Sequence, residues 1–145
     1  MKKPTPKPSP ARVPNPAARE LLKQCCVALL DKKAEDLLAF YVGPQSSVTD
    51  YLVIATGTSD PHRRALRIEL ERVFKENHAR VVGVESSDES GWTVVDAFDV
   101  MVHIFSPEQR ERIQLEKLWR DTAEVDVAKV LKPKKKAAPK KRVKR

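Results

Sequence analysis

The sequence predicts a small α/β domain of the α+β kind, in which a mixed sheet of about five strands is flanked by helices. Its 145 residues suffice for one domain. The run DYLVIAT at 50–56 is typical of a central strand that is buried on both faces. Segments with helical and with strand periodicity are interspersed along the chain, which is typical of helices packed against one sheet.

The distribution of apolar residues gives no sign of a membrane span or a secretory signal. No run of about 18 apolar residues is present. The start, MKKPTPKPSP, has no apolar stretch and is interrupted by prolines. We therefore expect a cytoplasmic protein that has no contact with a membrane.

Charge divides the chain into three parts. Residues 1–16 hold four Lys and Arg, six prolines and no acid, and residues 132–145 hold nine Lys and Arg and no acid. Both ends lack an apolar period and are predicted to be disordered. Residues 17–131 carry 15 Lys and Arg against all 20 Asp and Glu, a net charge of −5. The basic ends are therefore suited to contact polyanions, whereas the acidic middle is less suited to bind nucleic acid.

A helix is predicted to begin the folded part. Asn15 can cap it, and Pro16 suits its first position. Cys25 and Cys26 are neighbours, which rarely form an unstrained disulfide, and no further ligand lies at metal spacing. We interpret both as buried free thiols. The apolar residues at helical spacing are Leu21, Leu22, Cys25, Ala28 and Leu29.

Between residues 37 and 91, apolar runs and turn residues predict three strands and one helix. The strands are predicted at 37–42, 50–56 and 80–85, and a polar loop is predicted at 86–91. The helix follows the central strand, and Thr58 or Ser59 can cap it. Its inner stripe is predicted to comprise Ala65, Leu66, Leu70, Val73 and Phe74.

The segment WTVVDAFDVMVHIF at 92–105 predicts two antiparallel strands joined at Ala97-Phe98. The predicted cross-strand pairs are Trp92 with His103, Val94 with Met101, and Asp96 with Asp99. One face is predicted to pack on the core and holds Thr93, Val95, Val100, Val102 and Ile104.

The second face of this hairpin mixes large apolar groups with acids, which is typical of a partner-binding surface. Unpaired carboxylates are costly to bury, which argues against a fully covered face. The alternative is that another helix covers this face and its residues belong to the core. The residues concerned are Trp92, Val94, Asp96, Asp99, Met101 and His103.

A final helix is predicted from a capping box. Ser106 can cap it, Pro107 suits its first position, and Gln109 lies three residues after the cap. The helix is predicted to continue to Trp119, and residues 121–131 predict only a weak helix or a linker. Some apolar residues of the helix that ends at Trp119 are predicted to be buried, from the set Ile113, Leu115, Leu118 and Trp119.

Asp96 and Asp99, together with the loop at 57–60, suggest a magnesium site for phosphoryl transfer. Such a site needs a third carboxylate or a phosphate ligand, which no motif supplies, and the loop lacks the Lys of a P-loop. We therefore predict no catalytic, cofactor or metal site. The two acids are interpreted as contacts for Lys and Arg of a partner protein.

Three ordered blocks of sequence resemble the ribosomal silencing factor family, also called Iojap or RsfS. Residues 50–62 resemble D-x-x-x-I-x-T-G-x-S-x-x-H, residues 92–103 resemble W-x-x-x-D-x-G-D-V-x-V-H, and residues 115–119 resemble L-E-x-L-W. The match covers about residues 17–120, which we take as the domain, and the combination is specific. The departures from the family pattern are Ser86 and Phe98, where the family has Gly, and Ile113, where it has an aromatic residue.

The resemblance implies a translation repressor with a nucleotidyltransferase-like fold and no known catalysis. Members bind the large ribosomal subunit at ribosomal protein L-fourteen, block its joining to the small subunit when nutrients are short, and can self-associate as homodimers. We predict that the residues that bind this partner are Trp92, Val94, Asp96, Asp99, Met101, His103 and Tyr51. Glu116 and Trp119, on the last helix, are either docking groups or packing groups.

Two alternative functions remain open for this sequence. One is a divergent nucleotidyltransferase-like enzyme that uses Asp96 and Asp99 with Mg²⁺. The other is an RNA-binding adaptor that acts through its basic ends. Contacts between the tail and ribosomal RNA would release counterions and so weaken with salt. The tail residues predicted to make these contacts are Lys134, Lys135, Lys136, Lys140, Lys141 and Arg142.

Overall fold

The computed structural model describes residues 16–44, 46, 49–87, 90–119 and 122–131. The predicted cap Asn15, the rest of the basic arm and the basic tail at 132–145 lie outside these residues. The helices are α1 (Pro16–Asp31), α2 (Asp60–Glu76), α3 (Pro107–Ile113), α4 (Leu115–Leu118) and α5 (Val127–Leu131). The strands are β1 (Glu35–Tyr41), β2 (Tyr51–Thr56), β3 (Gly83–Ser87), β4 (Trp92–Asp96), β5 (Val100–Phe105) and β6 (Ala123–Val125).

The six strands form one mixed sheet in the order β3-β4-β5-β2-β1-β6. β2 and β5 run parallel, and the other neighbouring pairs are antiparallel. The predicted α/β architecture with a mixed sheet is confirmed. The prediction missed β6, because the three residues AEV are too few to show a period of two, and only their pairing with β1 makes them a strand.

Helices α1, α2 and α5 cover one face of the sheet and enclose the larger core cluster. β2 is buried along its whole length, as predicted. The predicted apolar stripe of α1 is buried as well. Cys25 and Cys26 are free and buried, and burial raises the pKa of Cys26 to about 12. This thiol is therefore protonated at neutral pH and a poor nucleophile or ligand.

A smaller core cluster lies on the opposite face of the sheet, mostly on β1 and β2. Side chains of the α3–α4 segment pack against it, namely Ile113, Leu115 and Trp119. This segment therefore covers the part of the face that β1 and β2 provide, whereas side chains of β3, β4 and β5 remain partly exposed. The buried members of the cluster are Phe40, Val42, Leu52, Ile54 and Phe105.

Three details of the predicted elements were wrong. The last helix does not continue to Trp119, because Gln114 adopts the left-handed conformation (φ 49°, ψ 50°) and separates α3 from α4. Of the four apolar residues from which some were predicted to be buried, Leu118 is 73% exposed. Ala65 is exposed on α2 and does not belong to its inner stripe. β3 begins three residues later than predicted and includes Ser86 and Ser87 of the predicted polar loop, because both pair with β4.

The start of α3 is tied to the beginning of β4. Ser106 accepts a hydrogen bond from the Gln109 backbone N–H at 3.2 Å, so the predicted cap is confirmed. The Gln109 side chain does not complete the capping box, since its amide nitrogen donates to the Ser90 carbonyl at 2.6 Å. The Ser106 N–H instead donates to the Gly91 carbonyl at 2.8 Å. These bonds hold α3 beside the end of the sheet where Trp92 lies.

The corner between β2 and α2 is held by side chains of the first block of family motif residues. Ser59 caps α2 by accepting from the His62 N–H. His62 accepts at Nδ1 from the Thr58 N–H at 2.9 Å, and its Nε2 lies 2.7 Å from the Lys32 carbonyl oxygen. The two ring nitrogens thus join the start of α2 to the end of α1. We interpret this block as a structural corner.

Candidate functional site

The β4–β5 hairpin is paired two residues away from the predicted register. The observed pairs are Trp92 with Phe105, Val94 with His103, Val95 with Val102, and Asp96 with Met101. The turn consists of Phe98 and Asp99, because the Ala97 N–H donates to the Val100 carbonyl at 3.0 Å. Phe98 takes φ 72° there, and its N–H donates to the Asp96 carboxylate at 2.9 Å.

A shift of two residues leaves every side chain on its predicted face. The predicted core face is therefore confirmed, and its residues are buried: Thr93, Val95, Val100, Val102 and Ile104. The outward side chains of β3, β4 and β5 form a surface that we call the open face. Its members are Glu85, Trp92, Val94, Asp96, Met101 and His103.

Three aromatic rings stand together on this side of the sheet. The centroids of Trp92 and Phe105 lie 5.1 Å apart, and those of Trp92 and His103 lie 6.0 Å apart. The His103 and Phe105 rings are stacked, with an interplanar angle of 15°. Phe105 has no exposed surface, whereas Trp92 is 36% exposed. Phe105 thus forms a buried base for an indole that reaches the surface, a role that the alternation of the strand did not indicate.

A hydrogen bond joins two of these rings. The indole Nε1–H of Trp92 donates to Nδ1 of His103 at 3.1 Å. Burial lowers the pKa of His103 to about 4, although the Asp96 carboxylate opposes this shift. At neutral pH the imidazole is therefore uncharged, so Nδ1 has a free lone pair and Nε2 carries the proton.

The two acids of the hairpin do not face each other. Asp96 is opposite Met101, and Asp99 lies in the turn, where burial and the neighbouring charge of Asp50 raise its carboxyl pKa. Among the described residues, no group of three or more His, Cys, Asp or Glu could hold a metal ion. The arrangement therefore gives no support to phosphoryl transfer at Asp96 and Asp99.

A groove of about 300 Å³ lies beside the indole at the β3 edge of the sheet. Glu85, on β3, pairs with Val94 and adds an acid to this side of the open face. Sequence reasoning missed Glu85, because its partner strand could not be known from its own pattern. The residues that line the groove are Glu85, Ser86, Ser90, Trp92 and Val94.

Three predicted residues lie outside the open face, namely Tyr51, Glu116 and Trp119. Tyr51 was predicted to lie with the partner-binding residues, but it is fully buried in the helix-covered core. Glu116 accepts from Nε of Arg110 at 3.3 Å, and Trp119 packs on the smaller core cluster. Both contacts favour the packing interpretation of these two residues.

No helix in the described part of the chain is long and apolar enough to cross a membrane. Helices cover one face of the sheet, and the second face is half covered. The uncovered half of the second face presents an aromatic side chain beside acids. Aromatic residues are enriched at surfaces that bind other proteins.

The family follows from comparison with known proteins. The model of the family described as "Ribosomal silencing factor during starvation" matches residues 15–145. The chain is 38% identical over 109 residues to ribosomal silencing factor RsfS of Bacillus subtilis, an alignment that covers 75% of this chain and 92% of that protein. The chain therefore belongs to the ribosomal silencing factor family, which implies ribosome-associated regulation of translation.

Two further relatives extend the comparison. Mitochondrial assembly of ribosomal large subunit protein 1 of Mus musculus is 36% identical over 94 residues, which cover 63% of this chain and 41% of that protein. A crystal structure of a protein from Chromobacterium violaceum superposes with a TM-score of 0.67 at 30% identity, and covers 79% of this chain and 98% of that one. The resemblance inferred from the three sequence blocks is confirmed.

Proposed function

We propose that this chain represses translation by binding the large ribosomal subunit at ribosomal protein L-fourteen and blocking its association with the small subunit. The domain would act in the cytoplasm under nutrient limitation, by steric occlusion alone. Membership in the silencing factor family supports this role. The relative from Mus musculus also supports this role, because its name refers to assembly of the ribosomal large subunit.

The observation that carries the proposal is the open face. A partly exposed indole lies on a buried aromatic base and borders a groove. Tryptophan is enriched among residues that dominate binding energy, and its truncation at a well-packed contact costs roughly 2 kcal/mol or more. Docking would bury the exposed part of Trp92 without any change in the sheet.

The acids of the open face give the proposed contact its selectivity. Glu85, Asp96 and Asp99 lie on or beside this face, in a domain segment of net charge −5. Lys and Arg on the partner would be attracted to them, which speeds association and fixes orientation more than it raises affinity. Ribosomal RNA would be repelled by the same acids. The proposed partner is therefore a basic ribosomal protein.

An assay of subunit joining tests this function. Purified large and small subunits are mixed with the protein, and joined ribosomes are separated on a sucrose gradient. Wild-type protein is expected to reduce joining, and Trp92→Ala is expected to require at least about tenfold more protein for the same reduction. Ile68→Ala is the matched control, because Ile68 is 54% exposed on α2, across the sheet from the open face. Equal inhibition by wild type and Trp92→Ala would contradict the proposal.

The basic tail at 132–145 is proposed to add nonspecific affinity for ribosomal RNA. Its nine Lys and Arg would neutralise phosphates and release counterions. Deletion of the tail is expected to weaken large-subunit binding and to flatten its dependence on salt. An unchanged salt slope would exclude the tail from the contact, whereas loss of all binding would favour an RNA adaptor that acts through the tail.

A further inference from the structure

The orientation of the Trp92 indole is not determined by its strand. The second torsion of a Trp side chain has a broad energy profile, so neighbouring groups must select its value. Phe105 contacts one side of the indole, with centroids 5.1 Å apart, but an apolar ring can hold the indole plane without holding the N–H edge. The Nδ1 atom of His103, 3.1 Å from the indole nitrogen, is the group that holds this edge.

His103 is itself held in place. Its ring stacks on Phe105 at 15°, and its backbone pairs with Val94 on β4 and with Ile54 on β2. His103 lies on β5, which has a neighbouring strand on each side. Such a residue moves less than one on an edge strand. Its ring carries no charge at neutral pH, because burial lowers the pKa to about 4. Nδ1 is therefore available as an acceptor.

We propose that His103 is a positioning residue for docking: its imidazole accepts the indole N–H of Trp92 and holds the indole in the orientation that the partner binds. This inference rests on the proposed function, since it assigns a role within the same surface. It differs from the sequence-based prediction, in which His103 is one of the groups that bind the partner. In the present proposal His103 acts through Trp92 and contributes no separate contact.

Two substitutions of His103 separate the hydrogen bond from the ring. His103→Phe keeps an aromatic ring and removes the acceptor. His103→Asn is the matched control, because its side-chain oxygen can take the place of Nδ1. Circular dichroism and the thermal midpoint establish that each variant is folded before binding is measured.

NMR tests the hydrogen bond between Trp92 and His103. The chain has two tryptophans, so a ¹⁵N-labelled sample gives two indole N–H signals, and Trp92→Phe identifies that of Trp92. His103→Phe is expected to shift this signal upfield and to speed its exchange with water, whereas His103→Asn is expected to retain most of its protection. A Trp92 signal that is the same in wild type and His103→Phe would overturn the proposal.

Binding to large subunits tests whether His103 acts through Trp92. His103→Phe is expected to weaken binding about five- to tenfold, and His103→Asn less than threefold, as for loss and retention of one hydrogen bond. In a Trp92→Phe background, which has no indole N–H, His103→Phe is expected to cause no further loss beyond about twofold. Fully additive losses would show that His103 contacts the partner itself and would overturn the proposal.

Failure of the proposed function gives a different result. If Trp92→Ala binds large subunits with the same affinity as wild type, the open face is not the docking surface. His103 then has no role in docking. The NMR result for the hydrogen bond would be unaffected in that case. The two readouts therefore distinguish a wrong surface from a wrong role for His103 on the right surface.

Discussion

Arg110 of α3 donates from Nη1 to the hydroxyl oxygen of Thr56, at the end of β2, at a distance of 2.8 Å. Its Nε also donates to Glu116 at 3.3 Å. Arg110 is buried, so these two bonds satisfy a charge that lies largely out of water. They attach the α3–α4 segment to the sheet, and this segment covers the half of the face that borders the open face.

Replacement of Arg110 by Met is expected to lower the free energy of unfolding by about 3 kcal/mol, because it leaves Thr56 and Glu116 without their donor. Urea denaturation measures the change. Arg112→Met is the matched control, since Arg112 is exposed on the same helix and its loss is expected to cost less than about 0.5 kcal/mol. Similar values for the two variants would mean that Arg110 does not anchor the segment.

Gly57, at the corner between β2 and α2, has no room for a side chain. A Cβ there would lie 2.5 Å from Cγ of Arg63 and 3.2 Å from its Cα. Gly57→Ala is therefore expected to destabilise the domain by about 2 kcal/mol. Gly83→Ala is the control, because a Cβ at Gly83 meets nothing within 4 Å. Thermal denaturation should show a lower midpoint for Gly57→Ala alone, and an equal midpoint for both variants would refute the steric argument.

Phe98 stands in the hairpin turn at φ 72°, a conformation that favours glycine. Its side chain is 64% exposed, so little packing offsets the strain. Phe98→Gly is expected to raise the free energy of unfolding by about 1 kcal/mol. Chemical denaturation measures this change in the free energy of unfolding. Phe98→Ala removes the same ring but keeps the Cβ, so it separates the effect of backbone strain from that of the exposed ring. A gain of equal size in both variants would assign the effect to the exposed ring.

Acid is expected to destabilise the domain through His103. Its pKa is about 4 in the folded chain, below the ordinary value near 6.5, so the unfolded chain binds the proton first. The contribution of His103 to the free energy of unfolding is constant above pH 6.5. It declines as the pH falls and reaches its limit below pH 4. From pH 7 to pH 5 the expected loss is about 2 kcal/mol. His103→Asn should show a loss smaller by about this amount in urea denaturation, and parallel curves would contradict the assignment.

Much of the fold could be predicted from local pattern. The burial of β2 followed from an unbroken apolar run, and the caps Ser59 and Ser106 followed from residue types before helical periods. The two faces of the hairpin followed from alternation. The candidate site was predicted in part by the same means, since Trp92 and His103 do lie together on the outer face.

The rest depended on contacts between distant segments. The break at Gln114 has no Gly or Pro to mark it, and β6 is a strand only because β1 supplies its hydrogen bonds. Tyr51 was predicted to be a partner-binding residue, but its side chain lies on the face that the helices cover.

The order of the residues alone dictates which side chains share a face, because alternation along a strand depends only on position within that strand. It could not give the pairing of the hairpin, since a shift by two residues leaves both faces unchanged. The contact of Trp92 with Phe105 and its bond to His103 arise only in the folded chain. That arrangement depends on where the turn closes and on what the α3–α4 segment covers, and both are set by contacts between residues far apart in the chain.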